Sequence, residues 1–199
     1  MQVDEILKLS AIFIGEEEVS NMNLLNSITT YMPMDEDVLY ADDEALVKKS
    51  DMLLKCLNLV IEDIARDYLA LLHEENIVFN DKKFEYTNLS KVICDIIKLQ
   101  APNGLSIKFK TFPTHIKADI KKAVITYSYL PEELTYHQSF DFFDNKLTPR
   151  IIAYGVAMEY LFLNSLSDEA AIWENRFLTS LQNALRKKHN VTLPRRGWF

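Results

Sequence analysis

Apolar side chains recur along this chain with two periods, and the change from one to the other divides it into blocks. Val3, Ile6, Leu7, Ala11 and Ile14 fall at helical spacings of three and four, which predicts a short amphipathic helix over 3–14. Residues 21–43 carry Asn, Ser, Thr, Pro33 and a dense acid cluster with no sustained period, and read as a loop or arm ordered by a partner. Leu53, Leu57, Val60, Ile61, Ile64, Tyr68, Leu71 and Leu72 restore the helical period, so a long helix is expected over 43–73, with His73 capping its last carbonyls.

From Asn76 the period becomes two. Segments 77–79 and 84–86 flank Asn80-Asp81-Lys82-Lys83, and segments 92–99 and 105–112 flank a turn containing Asn103-Gly104, so two hairpins are expected. Leu105, Ile107 and Phe109 alternate with Ser106, Lys108 and Lys110, giving one core face and one wet face. Residues 123–129 form a further strand in which Ile125, Tyr127 and Tyr129 alternate with Val124, Thr126 and Ser128. After a polar and aromatic connection over 131–147, two helices follow, separated by Asn164-Ser165-Leu166-Ser167.

The first of these, 149–164, opens on Thr148 as N-cap with Pro149 at the first helical position, where a missing N–H costs nothing. It is apolar on nearly every face from Ile151 to Phe162, as an enclosed helix is. Gly155 inside it predicts a second backbone packed close by, since a helical glycine otherwise costs ~1 kcal/mol relative to alanine. The second, 167–188, starts on Ser167 with Asp168 and Glu169 in its first turn, and Ala170, Trp173, Phe177, Leu181, Ala184 and Leu185 form one stripe. A block of strands between blocks of helices is an α+β fold. The expected organisation is an N-terminal helix (1–20), an acidic arm (21–42), one α+β core over 43–188 with a small antiparallel sheet (76–130) and long packed helices, and an extended C-terminal docking tail (189–199).

Composition fits a core of that size: 48% of residues are hydrophobic and 11% aromatic, and mean hydropathy is near zero. No run approaches the ~20 apolar residues of a membrane span, and MQVDEILK lacks the basic start of a signal peptide, so an intracellular protein is expected. Cys56 and Cys94, each flanked by apolar residues, are expected to be buried free thiols. A net charge of −7 argues against nucleic-acid binding by the surface as a whole.

The charge is also unevenly placed. Residues 1–47 hold eleven acids against one base, Lys8, whereas 186–199 hold Arg186, Lys187, Lys188, Arg195 and Arg196 and no acid. Such opposite ends are either solvated independently or meet head to tail between copies, a heterologous contact that closes into a ring when the rotation permits. Trp198 and Phe199 beside Arg195 and Arg196 have the residue types that anchor interfaces.

Catalytic signals are sparse. His73, His115, His137 and His189 fall in separate elements without metal-ligand spacing, and the four glycines are too dispersed for a phosphate cradle. Neither metal nor cofactor is expected, and no catalytic residue is assigned. Glu132, Glu133, Asp141 and Asp144 read as a solvated acidic loop before they read as acid–base machinery, and Tyr127, Tyr129, Tyr136, Phe140, Phe142 and Phe143 read as packing before they read as a pocket.

The strand end ITYSYLPEEL at 125–134, then RIIAYGVAMEYLFLN at 150–164, DEAAIWENRFLTSLQ at 168–182 and the arginine-rich end together resemble the head–tail adaptor, or neck ring, proteins of tailed bacteriophages. The resemblance covers roughly 120–199; the longer acidic N-terminal part and the inserted sheet depart from it. It implies a structural virion protein, not an enzyme, assembled in the bacterial cytoplasm. That protein would dock on the portal vertex as a ring, usually of twelve copies, and extend the DNA channel toward the tail. Its partners would be portal protein, adjacent neck and tail proteins and its own copies, with DNA passing through unread and no membrane involved. Carried onto this chain, the portal- or ring-binding residues would be Arg186, Lys187, Lys188, Leu193, Arg195, Arg196, Trp198 and Phe199. The rival expectation is a monomeric chaperone-like protein engaging one partner through the same tail; an enzyme would require converging polar groups in a deep pocket.

Overall fold

A computed structural model of the chain describes residues 1–16, 18–19, 41–143 and 146–186. Within them the fold is α+β, with long packed helices and small antiparallel sheets. Of the acidic arm expected over 21–42, residues 21–40 lie outside the described residues while Ala41 and Asp42 already belong to a helix; the tail over 189–199 also lies outside them.

Helix α1 (Val3–Ile14) matches its expected bounds, and its buried residues include Val3, Ile6, Leu7 and Ala11. Helix α2 (Ala41–Asp63) ends in a π-turn over Ile64–Tyr68. The helix expected to run to His73 therefore stops short: Leu69 N–H donates to Ile64 O at 2.7 Å, closing the turn, and Leu71, Leu72 and His73 open strand β1 (Leu71–Val78). The helical spacing of Leu71 and Leu72 is overridden by pairing with a later strand. His73 caps nothing, and its ring lies edge-on to Tyr127 and Tyr129.

The remaining strands are β2 (Lys83–Glu85), β3 (Ile93–Gln100), β4 (Phe109–Thr111), β5 (His115–Ala118) and β6 (Lys122–Tyr129). They form two antiparallel sheets, ordered β1-β6-β3 and β2-β5-β4. Both expected hairpins are thus turns whose strands part company. Asn80 and Lys83 exchange backbone bonds at 3.0 and 2.8 Å around Asp81 and Lys82, both in the left-handed region, but β1 then belongs to one sheet and β2 to the other. Likewise Gly104, at φ 85°, completes the second turn and Ile107 N–H reaches Leu99 O, after which β4 departs to pair with β5. Leu105, expected in the core, is 66% exposed, because it sits at that turn before β4 begins. Cys94 is exposed as well, on an edge strand whose pairing with β6 is irregular between Ile93 and Asp95; Cys56 is buried as expected.

Two apolar clusters result. Ile77, Phe84, Leu99, Ile116, Ile125 and Tyr127, drawn from both sheets, fill the space between them. The second cluster is helical. Helix α3 (Pro149–Leu163) lies at its centre, with Ile152, Ala153, Gly155, Val156 and Ala157 buried against α1, α2 and α4 (Ser167–Leu185). Thr148 is at the N-cap position but its hydroxyl makes no capping bond, and Ser167 is the first helical residue, with Leu166 at the cap. The expected stripe of α4 buries Ala170, Phe177 and Leu181. Gly155 is closely approached, by side chains and not by a second backbone: a Cβ there would lie 2.8 Å from Val60 Cγ1 and 3.0 Å from the Phe177 ring.

Polar groups lock these helices together. Ser10 Oγ, buried in α1, donates to Ile6 O at 2.8 Å and contacts Ala153 O at 3.4 Å across the α1–α3 interface. Asn58 on α2 pairs both ways with the Leu134 backbone, at 2.7 and 3.0 Å, fastening the connection after β6. Phe13, Tyr154 and Trp173 stack with centroids 5.0–5.5 Å apart and join α1, α3 and α4.

Candidate assembly surface

The elbow between α3 and α4 presents several apolar side chains outward, where α1 exposes Ile12 and α2 exposes Val47 and Leu59. Ser165 takes φ 62°, and the bonds Ser165 N–H to Phe162 O and Leu166 N–H to Leu161 O, both 3.0 Å, close α3 in a Schellman turn with serine where glycine usually sits. Asn164 Nδ2 donates to Tyr160 O at 2.8 Å, so the turn is rigidly held. It displays Phe162, Leu163 and Leu166, and α4 adds Ile172 on its outer side; all four are between 42% and 57% exposed. Phe162 had been expected inside the enclosed helix. The all-round apolar pattern of α3 conceals that Phe162 and Leu163 face outward while Tyr160 and Leu161 of the same turn are buried, and no periodicity signals that difference. Exposed large apolar groups gathered at one corner mark an interaction surface more often than a solvated one.

Of the eight residues expected to bind portal or ring neighbours, Arg186 alone is described. It is exposed, with extended backbone, immediately past α4. Lys187, Lys188, Leu193, Arg195, Arg196, Trp198 and Phe199 lie outside the described residues. The aromatic group does not line one pocket: Phe140 and Phe143 are buried in the helical cluster, Tyr127 in the inter-sheet cluster, and Tyr136 OH donates to Asp51 Oδ1 at 2.8 Å. Glu132 pairs loosely with Lys91, while Glu133 and Asp141 are exposed; Asp144 is outside the described residues.

One polar convergence was missed in the sequence. Ser90 Oγ lies 3.0 Å from Glu75 Oε2 and 3.3 Å from His73 Nε2, and Tyr127 OH donates to the same carboxylate oxygen at 3.1 Å. Burial raises the Glu75 pKa, but the bonds from Ser90 N–H, Ser90 O–H and Tyr127 outweigh it and hold the carboxyl below its usual range. A carboxylate so stabilised is a poor base, and the histidine is not between serine and acid as nucleophile activation requires. The network pins the loop before β3 onto β1. Alternating strand positions place His73 and Glu75 on one face, which was the available signal.

Among the described residues no group of three His, Cys, Asp or Glu side chains is placed to hold a metal ion, and no helix is long and apolar enough to cross a membrane. An open cleft of about 730 Å³ lies between the turns at 80–83 and 119–121, where Lys82 pairs with Asp119 at 2.9 Å. No protein-family model and none of the curated proteins matches this sequence.

Proposed function

We propose that this chain is a structural virion protein, a head–tail adaptor that docks as a ring on the portal vertex of a tailed bacteriophage and extends the DNA channel toward the tail. The observation that carries this reading is the apolar elbow of Phe162, Leu163, Leu166 and Ile172, projecting from a rigid helical core in the same stretch that bears the resemblance to adaptor proteins. In a ring, each copy would bury its elbow against a neighbour. Helix α4 then serves as a pillar that starts at the elbow and aims the basic segment from Arg186 onward at the portal.

The test is the mass of the assembly formed with portal protein. A ring requires many copies on each portal assembly. A single copy on the whole portal assembly would sink the adaptor reading and favour a monomeric binding protein that engages its target through the tail.

A further inference from the structure

The outward face of the β2-β5-β4 sheet is basic in a chain of net charge −7. Lys83 pairs with Lys117, and Lys117 with Lys110, so three lysines occupy one rung across three strands, on the face opposite buried Phe84, Ile116 and Ala118. Like charges directly opposite one another weaken a sheet. Lys83 pairs with Glu85 at 2.8 Å in an exposed ion pair that a phosphate can replace, and among the described residues no carboxylate forms an ion pair with Lys110 or Lys117. The surrounding sequence adds to the imbalance: residues 98–122 contain six lysines and one acid, Asp119, in a chain of net charge −7.

An aromatic plate adjoins the rung. Phe112 N–H donates to His115 O at 2.9 Å, closing the β4–β5 turn, and the two rings stack at 4.7 Å with only 5° between their planes. Phe112 is 38% exposed, and Lys117 Nζ lies 5.2 Å from its centroid. Burial together with the charges of Lys83 and Lys117 lowers the His115 pKa, which keeps the plate neutral at physiological pH.

We infer that this face binds a nucleic-acid single strand, with backbone phosphates on Lys83, Lys117 and Lys110 and a base against the Phe112–His115 plate. Neighbouring strands stand ~4.8 Å apart, so the lysine row covers about 10 Å, the span of adjacent phosphates rather than of one small anion. A basic surface alone would suit any polyanion; an exposed aromatic on an open sheet beside it is the arrangement that holds unstacked bases. Contacts to phosphates and ring faces read no sequence, so binding is sequence-tolerant. The eleven acids of residues 1–47 repel the strand from that part of the molecule. The inference does not depend on the adaptor reading.

The experiment is fluorescence anisotropy of the full chain with oligothymidylate and oligouridylate of roughly 20 nucleotides, titrated between about 50 and 200 mM salt. Both strands bind, and affinity falls with salt. The triple variant Lys83→Gln/Lys110→Gln/Lys117→Gln weakens binding and lowers the log–log salt slope by about two, since each single-strand phosphate contact contributes ~0.7. Phe112→Ala weakens it about tenfold with the slope unchanged. Circular dichroism of each variant establishes that it is folded. Absence of binding at the low-salt limit, or a folded triple variant that binds as the parent does, overturns the inference. A duplex bound as tightly as the single strands, with Phe112→Ala harmless, overturns it too.

Discussion

Gly155 is the residue at which the helical core has least slack. Alanine is the better helix former by about 1 kcal/mol, yet its methyl would stand 2.8 Å from Val60 Cγ1 and 3.0 Å from the Phe177 ring. Both neighbours are themselves buried, so neither can swing aside into solvent. Overpacking of this kind costs about 1–3 kcal/mol, which outweighs the propensity gain. Gly155→Ala is therefore expected to lower the melting temperature by roughly 2–6 °C, and adding Val60→Ala should recover part of the loss, a coupling visible only in the double variant. One turn on, Glu159 carries a cost of another kind. Burial first, and the charge of Asp63 on α2 second, raise its pKa; Asp63 is raised as well, and burial together with the Glu159 charge pushes the Cys56 thiol up to about 12. A carboxyl whose folded pKa is raised binds its proton more tightly in the folded state. Its contribution to stability is complete below the unfolded value near 4.3 and is lost as pH rises through the folded value. Glu159→Gln should accordingly raise the melting temperature at neutral pH by roughly 1–3 °C. The gain should vanish in a scan below about pH 4, and an equal gain at both pH values would show that desolvation of the carboxylate is not the cause.

At the level of elements, the outcome depends on whether neighbours along the chain or neighbours in space decide the structure. Helices α1, α3 and α4 were legible because one face of each, or nearly all of it, meets apolar partners over several turns, and a 3.6-residue period survives that averaging. The end of α2 was not, since Leu71 and Leu72 satisfy the helical period while β6 supplies a ladder that begins at Leu71↔Tyr129. The sheets were half legible: turn chemistry placed the bends at 80–83 and 101–104, but the divergence of strands into two sheets is a long-range choice on which local sequence is silent. The short strand β5 went unseen for the same reason, and with it the lysine rung, which exists only when three separate segments are laid side by side. The elbow was concealed by the all-round apolarity of α3. Cys94 offers a direct check on the strand assignment. It is exposed on β3 whereas Cys56 is buried in α2, so a thiol reagent should label one cysteine rapidly in the native protein and the second only on unfolding. Equal protection of both would place β3 in the interior, contrary to its observed edge position.

For the molecule as a whole, the adaptor reading assigns two tasks to two places, and the tasks can be separated. Lateral contact between copies falls to the elbow, where Leu163 is 55% exposed and makes its contacts outside the monomer's core. Portal attachment falls to the segment beyond Lys188, where Arg195, Arg196, Trp198 and Phe199 have the residue types that anchor interfaces. Replacing Leu163 by glutamate changes monomer stability by no more than about 0.5 kcal/mol, as for other exposed positions. It would bring a carboxylate into every contact of a closed ring, where an unpaired charge cannot be desolvated cheaply. Repeated around the ring, that penalty multiplies, so Leu163→Glu is expected to leave a folded monomer that no longer oligomerises on portal. Truncation after Lys188 is expected to do the reverse, preserving contact between copies while abolishing attachment. Sedimentation of each variant, alone and with portal protein, distinguishes the two losses. If Leu163→Glu still yields the parental copy number on portal, the elbow is not the lateral interface; if the truncated chain still attaches, the basic aromatic tail is not the anchor.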